Sequence, residues 1–298
     1  MELVKKIDIH VHTSESAWLS RLPDDRYATP SEIIGMYDRY GIEKGVLLPN
    51  ITVETDFMVS SNYEIWQITQ KYPERFAWFC NVDAHQGSNS PDTDFTPFLR
   101  ECYAHGARGV GEVCTNLYFD DPLMMNLFRH CEACNMPLTF HIGNMGHDYG
   151  IVDDFGLPHL EKALAAFPKL KFLGHSQKFW AEISGDLKRE QRGGYPTGKV
   201  TPGGRLVTLF RTYPNLCGDM SAGSGCNAFM RDPEFGYAFM EEFQDRLYFG
   251  TDICSPTNID DSRMRLAAFL DEGVLNGKLS QEAYEKISRG NALRLLNR

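Results

Sequence analysis

The chain has 298 residues, 42% hydrophobic and 23% charged, a balance that excludes a disordered or collagen-like chain and allows a large buried core. Forty acidic against 30 basic residues give a formal charge of −10; with no Lys/Arg run, nucleic acid is not an expected partner. No apolar run approaches the ~20 residues that span a bilayer, so no membrane association is expected. The eight cysteines, in a long chain without a signal-like start, read as free thiols of a cytoplasmic protein.

Taken in chain order, strands and helices alternate. A strand over 6–12 leads to a helix that starts at Pro30-Ser31 and stops at Gly41. A strand over 45–49 is followed by a helix closing at Tyr72-Pro73. Strands over 76–82 and 107–113 come next, the first trailed by a polar loop over 83–94. Asp121-Pro122 opens a helix reaching Asn135; its lone Cys131-x-x-Cys134 reads as packing rather than zinc. A strand over 137–142 precedes a helix over 158–167, striped by Leu160, Ala163, Leu164 and Phe167 and stopped by Pro168. Strands over 170–175, 215–220 and 247–251 follow, and a helix over 280–296 closes the chain. The glycine-rich stretch 185–204 reads as a loop or lid. Several strands are apolar throughout, as expected where both faces are covered. Eight β/α alternations predict one (β/α)₈ TIM-barrel domain over 1–298. An open doubly wound sheet is the rival, and no GxGxxG fingerprint supports it.

The chemistry concentrates where strands end. His10 and His12 are two apart on a strand, so both imidazoles face one side and can hold one metal ion. The alternative is a pair of buried, hydrogen-bonded histidines. Glu112, His141, His175 and Asp252 each end another apolar run. The spacing from Glu112 to His141 is 29 residues, and from His141 to His175 it is 34, each one barrel step; the 77 to Asp252 make two. The six residues therefore fall on strands 1, 4, 5, 6 and 8, at the face where barrel active sites form. A divalent cation held there lowers the pKa of a coordinated water to about 7. Zn²⁺ is the first choice, with Mn²⁺ or Fe²⁺ as alternatives.

The motifs Ile7-Asp8-Ile9-His10-Val11-His12, Phe140-His141-Ile142-Gly143, Leu173-Gly174-His175-Ser176, Tyr248-Phe249-Gly250-Thr251-Asp252 and Ile287-Ser288-Arg289-Gly290-Asn291-Ala292 together resemble the amidohydrolase superfamily. The branch they resemble is amidohydrolase-2, whose metal-dependent TIM barrels include aminocarboxymuconate-semialdehyde-type decarboxylases. The resemblance implies His10, His12, His141 and His175 as ligands and Asp252 as a ligand that also moves the proton. Glu112 departs from many members of that branch and is similar to a bridging ligand of two-metal relatives, so one or two ions are expected. His175 is the second catalytic candidate, either holding a second ion or polarising the substrate.

Lys178, Phe179 and Trp180, directly after the sixth strand, are candidates to bind a planar, carboxylate-bearing substrate; a helix start packing its aromatics on the barrel is an equal reading. His147 and the loop residues Trp18, Arg21 and Arg26 are further substrate-binding candidates. The expected function is a metal-dependent hydrolase of a small carbonyl, amide, lactone or ester compound. The rivals are a non-oxidative decarboxylase, for which Lys178, Arg205 or Arg231 would hold the substrate carboxylate, and a metal-binding protein without turnover. A small-molecule substrate is the expected partner, and a homodimer follows from the resemblance alone.

Overall fold

The computed structural model describes residues 2–15, 25–52, 54, 58–146 and 148–297. Nine strands are all paired in parallel. Strands β1 (Lys6–Val11), β2 (Ile42–Leu47) and β3 (Phe76–Trp78) form one sheet. Strands β4 (Val110–Val113), β5 (Leu138–Gly143), β7 (Phe172–His175), β8 (Leu216–Asp219) and β9 (Leu247–Tyr248) form the other, with the two-residue β6 (Ile151–Val152) beside β5.

Backbone hydrogen bonds join the edges of the two sheets. Cys80 N donates to Gly109 O at 3.0 Å and Gly111 N to Cys80 O at 2.7 Å, linking the third strand to the fourth. On the other side Ile9 N donates to Phe249 O, Asp252 N to His10 O and His12 N to Ile253 O, at 3.0, 2.8 and 2.8 Å. First and last strands are thus neighbours, and the architecture is the predicted (β/α)₈ barrel.

The helices follow the predicted punctuation. Helix α1 (Pro30–Tyr40) starts on a capping box between Thr29 and Glu32 and ends on Gly41 at φ +69°, a left-handed turn that glycine adopts without cost. Helices α2 (Asn62–Lys71), α3 (Thr96–Ala104), α4 (Pro122–Ala133), α5 (Pro158–Ala166), α6 (Gln177–Ala181) and α7 (Arg205–Thr212) connect successive strands. Helices α8 (Ala222–Met230) and α9 (Pro233–Glu242) lie between β8 and β9, and α10 (Arg265–Leu275) follows β9. The terminal helix is α11 (Gln281–Glu285) and α12 (Asn291–Leu296), joined by a π turn at Lys286–Gly290. The stretch 185–204 is irregular apart from one 3₁₀ turn, Arg189–Gln191, and is tied down by Gly185 N on Thr201 O.

A small apolar cluster draws Ile9, Leu48, Phe79, Leu173, Cys217 and Tyr248 from around the ring and fills the barrel interior. A larger one lies between strands and helices. Two of the three register shifts in these pairings put an extra residue on a strand that bears a site residue. Asp8 to Val11 spans three steps on β1 against two on β2, and Val110 to Val113 spans three on β4 against two on β5. Such bulges re-aim the side chains beside them, and these two sit at His10 and Glu112.

Candidate metal centre

The six strand-end residues meet at the mouth of the barrel. Nε2 of His10 and Nε2 of His12 are 3.0 Å apart. Glu112 Oε2 lies 3.6 and 3.5 Å from them, and Asp252 Oδ1 lies 3.6 and 3.7 Å away. His175 Nε2 closes the ring at 3.9 Å from Glu112 Oε1 and 4.0 Å from Asp252 Oδ2. Ligands about 2.0–2.2 Å from one ion stand roughly 3–4 Å from each other, the spacing found here.

The other ring nitrogen of each of these histidines is occupied. His12 Nδ1 donates to Leu48 O at 3.0 Å. His10 Nδ1 bonds Asp219 Oδ2 at 2.6 Å, and His175 Nδ1 bonds Ser221 Oγ at 3.0 Å. A proton committed at Nδ1 leaves a lone pair at Nε2. The Nε2 atoms of His10 and His12 therefore face each other at 3.0 Å beside two carboxylates, a set of donors that a cation can gather in place of the single proton that otherwise links the two rings. Three imidazoles with two carboxylates suit Zn²⁺, Mn²⁺ or Fe²⁺, so the residues present fit the group.

The surroundings of the donors are strongly negative. Burial pushes His10 down, yet Asp219 and Glu112 outweigh it and hold the ring well above its usual range, favouring positive charge at this point, which a cation would supply in place of the Nε2 proton. Burial, and then His10, push His175 down to about 4, so it is a neutral imidazole at neutral pH. Burial would raise Glu112, but His10 and its other histidine neighbours hold it well below the usual carboxylate range. Asp252 sits at φ +56° with its N–H on His10 O, a left-handed position that aspartate tolerates better than most residues.

His141 stands to one side. Its Nδ1 meets Glu112 Oε1 at 3.0 Å, and its ring packs on Tyr149 with centroids 4.6 Å apart. His12, Glu112, His175 and Asp252, with His141, line a cavity of about 190 Å³, edged by Tyr27, Asn50, Tyr149, Gln177, Tyr195 and Arg263.

Two substrate-binding readings are corrected. Phe179 is fully buried against Phe140 and Gly174, where a Cβ would come within 2.2 Å of its ring. Trp180 packs on Phe229 and donates Nε1–H to Asp219 O at 2.9 Å. Both are core residues because helix α6 turns its aromatic side onto the barrel. Lys178 lines a neighbouring cavity and pairs with Asp148 at 3.3 Å. Arg205 is engaged by Glu161 and Gly156, and Arg231 lines an adjoining cavity. Arg26 pairs with Glu32 at 2.6 Å. His147, Trp18 and Arg21 lie outside the described residues.

Two residues of the site escape the sequence reading. Asp219 ends an apolar strand as Glu112 and Asp252 do, and that signal could have found it. Arg263 donates from Nη1 to Asp252 O, with Nη1 also 3.7 Å from Asp252 Oδ2. It comes from a 3₁₀ turn eleven residues further on, where no periodicity marks it.

No helix among the described residues is long and apolar enough to cross a membrane. No protein of curated function matches the chain significantly. Among solved structures, an uncharacterised TIM-barrel protein from Bordetella bronchiseptica aligns over 99% of both chains at 21% identity and TM-score 0.64. A dihydroxybenzoic acid decarboxylase from Polaromonas sp. JS666, with bound manganese and 2-nitroresorcinol, aligns over 99% of this chain and 97% of that one at 17% identity and TM-score 0.58. A probable 2-pyrone-4,6-dicarboxylic acid hydrolase from Acinetobacter baumannii, with citric acid bound, aligns over 99% and 100% at 15% identity and TM-score 0.56. These likenesses establish the fold. The amidohydrolase (amidohydrolase-2) family profile matches residues 7–298, which is nearly the whole sequence, and the chain belongs to that family.

Proposed function

We propose that the protein is a hydrolase of a small carbonyl, amide, lactone or ester compound, working with one divalent cation, Zn²⁺ in the first instance. The observation that carries this is the facing pair of Nε2 atoms on His10 and His12, 3.0 Å apart and ringed by Glu112, Asp252 and His175. These five would hold the cation, which when bound supplies a Lewis acid that acidifies water and polarises a carbonyl. One ion at the His10–His12 end is the expected content; His141, with Glu112 and His175, forms a further group of donors within 4.8 Å of one another.

The chain's own residues do the rest. Asp252 takes the proton of the attacking water and passes it to the leaving group. Arg263, bonded to the Asp252 carbonyl, fixes that carboxylate and lends positive charge to the substrate side. His141 holds Glu112 in place, and Asn50 and Gln177 offer amides to the substrate. The walls keep bulk water from the reacting atoms.

The test is elemental analysis of the purified protein, followed by assay against small lactones, esters and amides before and after chelation. About one equivalent of metal, with hydrolysis lost on chelation and restored by Zn²⁺ or Mn²⁺, is expected. Protein that binds no divalent metal overturns the reading. Release of CO₂ without hydrolysis across aromatic acids replaces it with the decarboxylase.

A further inference from the structure

The catalytic cavity does not end at Arg263. A second cavity of about 500 Å³ shares Tyr195, Gly223 and Arg263 with it, so the two adjoin. Its far wall carries Arg231 and Arg265. Three guanidiniums therefore face one space whose sole lining carboxylate, among the described residues, is Asp261, and that group is already engaged by Arg263 at 3.2 Å. Neither Arg231 nor Arg265 forms an ion pair among the described residues, and Arg231 Nε is buried without a hydrogen-bond partner. Asp186 and Asp232 act on the charge of Arg231 from nearby. Their carboxylates, however, are bonded to Ser184 Oγ and Val200 N. In a chain of net charge −10, a pocket lined by three guanidiniums, two of them without an ion pair among the described residues, is a local feature that an oxyanion would complete.

The geometry also sets a length. Helix α8 begins at the catalytic cavity, with Ala222 and Gly223 in its wall, and Arg231 caps its other end. The eight residues from Gly223 to Arg231 advance about 12 Å.

We infer that the second cavity is the subsite for an anionic tail: the substrate is an elongated molecule whose carbonyl lies at the cation while a carboxylate or phosphate, on the order of 10 Å away by that helix rise, is held by Arg231, Arg263 and Arg265. This rests on the hydrolase reading for the carbonyl end only. Tyr195, which accepts from Gln177 Nε2 at 3.2 Å, stands at the junction.

The experiment is calorimetric titration of the Zn²⁺-loaded full chain with acetate, azelate (nonanedioate) and 8-phosphonooctanoate. Acetate reports the cation end alone, whereas the longer probes reach both ends. Azelate or 8-phosphonooctanoate should bind at least about tenfold tighter than acetate, one charged contact being worth roughly a factor of ten. The tighter of the two identifies the tail as carboxylate or phosphate. Arg231→Gln and Arg265→Glu should each remove most of that advantage while acetate affinity and metal content stay as in wild type. Arg265 is exposed, so its variant carries the test alone if Arg231→Gln does not fold. Long probes that bind no tighter than acetate, or an advantage that survives both substitutions, overturn the subsite. Protein that fails to load Zn²⁺ fails at the earlier reading instead.

Discussion

His10 and Asp219 come from strands that do not adjoin, β1 and β8, yet His10 Nδ1 and Asp219 Oδ2 meet at 2.6 Å with both side chains fully buried. The carboxylate fixes which ring nitrogen carries the proton and turns Nε2 toward His12. Outer partners of this kind are worth about 10–100-fold in metal affinity. Asp219→Asn should weaken Zn²⁺ binding within that range in a chelator competition, with the circular dichroism spectrum unchanged. Unaltered affinity would show that His10 is oriented by packing alone.

Asp252→Asn keeps the size and one oxygen ligand but removes the base. Turnover should fall at least ~10²-fold, the lower range for a positioned general base, with metal retained. If the variant loses its metal, Asp252 is chiefly a ligand. If it turns over normally, His175 is the next residue to replace.

Phe179 and Trp180 test the correction made above. Both fill the core, so Phe179→Ala and Trp180→Ala should each cost about 3–5 kcal/mol in urea unfolding, as large aromatic truncations do. Variants that stayed as stable as wild type but raised KM would return these residues to the substrate.

Asp153 gives a pH signature away from the metal. Burial raises its carboxyl to about 6 despite hydrogen bonds from the backbone N–H groups of Leu160 and His159. The folded protein therefore holds this proton more tightly than the unfolded chain, whose value is near 3.8. The ionised form weakens the fold, and stability from this group rises as pH falls from about 6 to about 4. Relative to Asp153→Asn, wild type should gain on the order of 3 kcal/mol between pH 7 and pH 4, at about 1.4 kcal/mol per pH unit. Parallel stability curves for the two proteins would contradict this.

The alternation of strands and helices was legible because both sides of each strand are covered, which writes apolar runs, and because Pro and Gly mark the helix ends. Pro30 and Gly41 bound α1 where the sequence places them. The convergence of His10, His12, Glu112, His141, His175 and Asp252 was legible from spacing, since a barrel repeats its strand ends on one face. The extra residues on β1 and β4 were not, because side-chain alternation assumes an unbroken ladder. Phe179 and Trp180 misled because a five-residue helix has too little pattern to show which side faces inward. Arg263 was hidden for the opposite reason: it reaches the site from an irregular turn, where the sequence has no period to read.

Three of the gathered side chains ride the join between the first and last strands: His10 and His12 on one side, Asp252 on the other, 242 residues later in the sequence. Three backbone hydrogen bonds close that join, and under the proposed ligation a cation held by all three side chains would act as a rivet across it. Prying the cylinder open there would tear ligands from the ion, and whatever binds only the closed form resists that opening by mass action. The grip also forms late. A nascent polypeptide cannot assemble it until the strand before Asp252 has emerged and found its distant mate, so uptake of the ion would mark a chain whose two ends have already met.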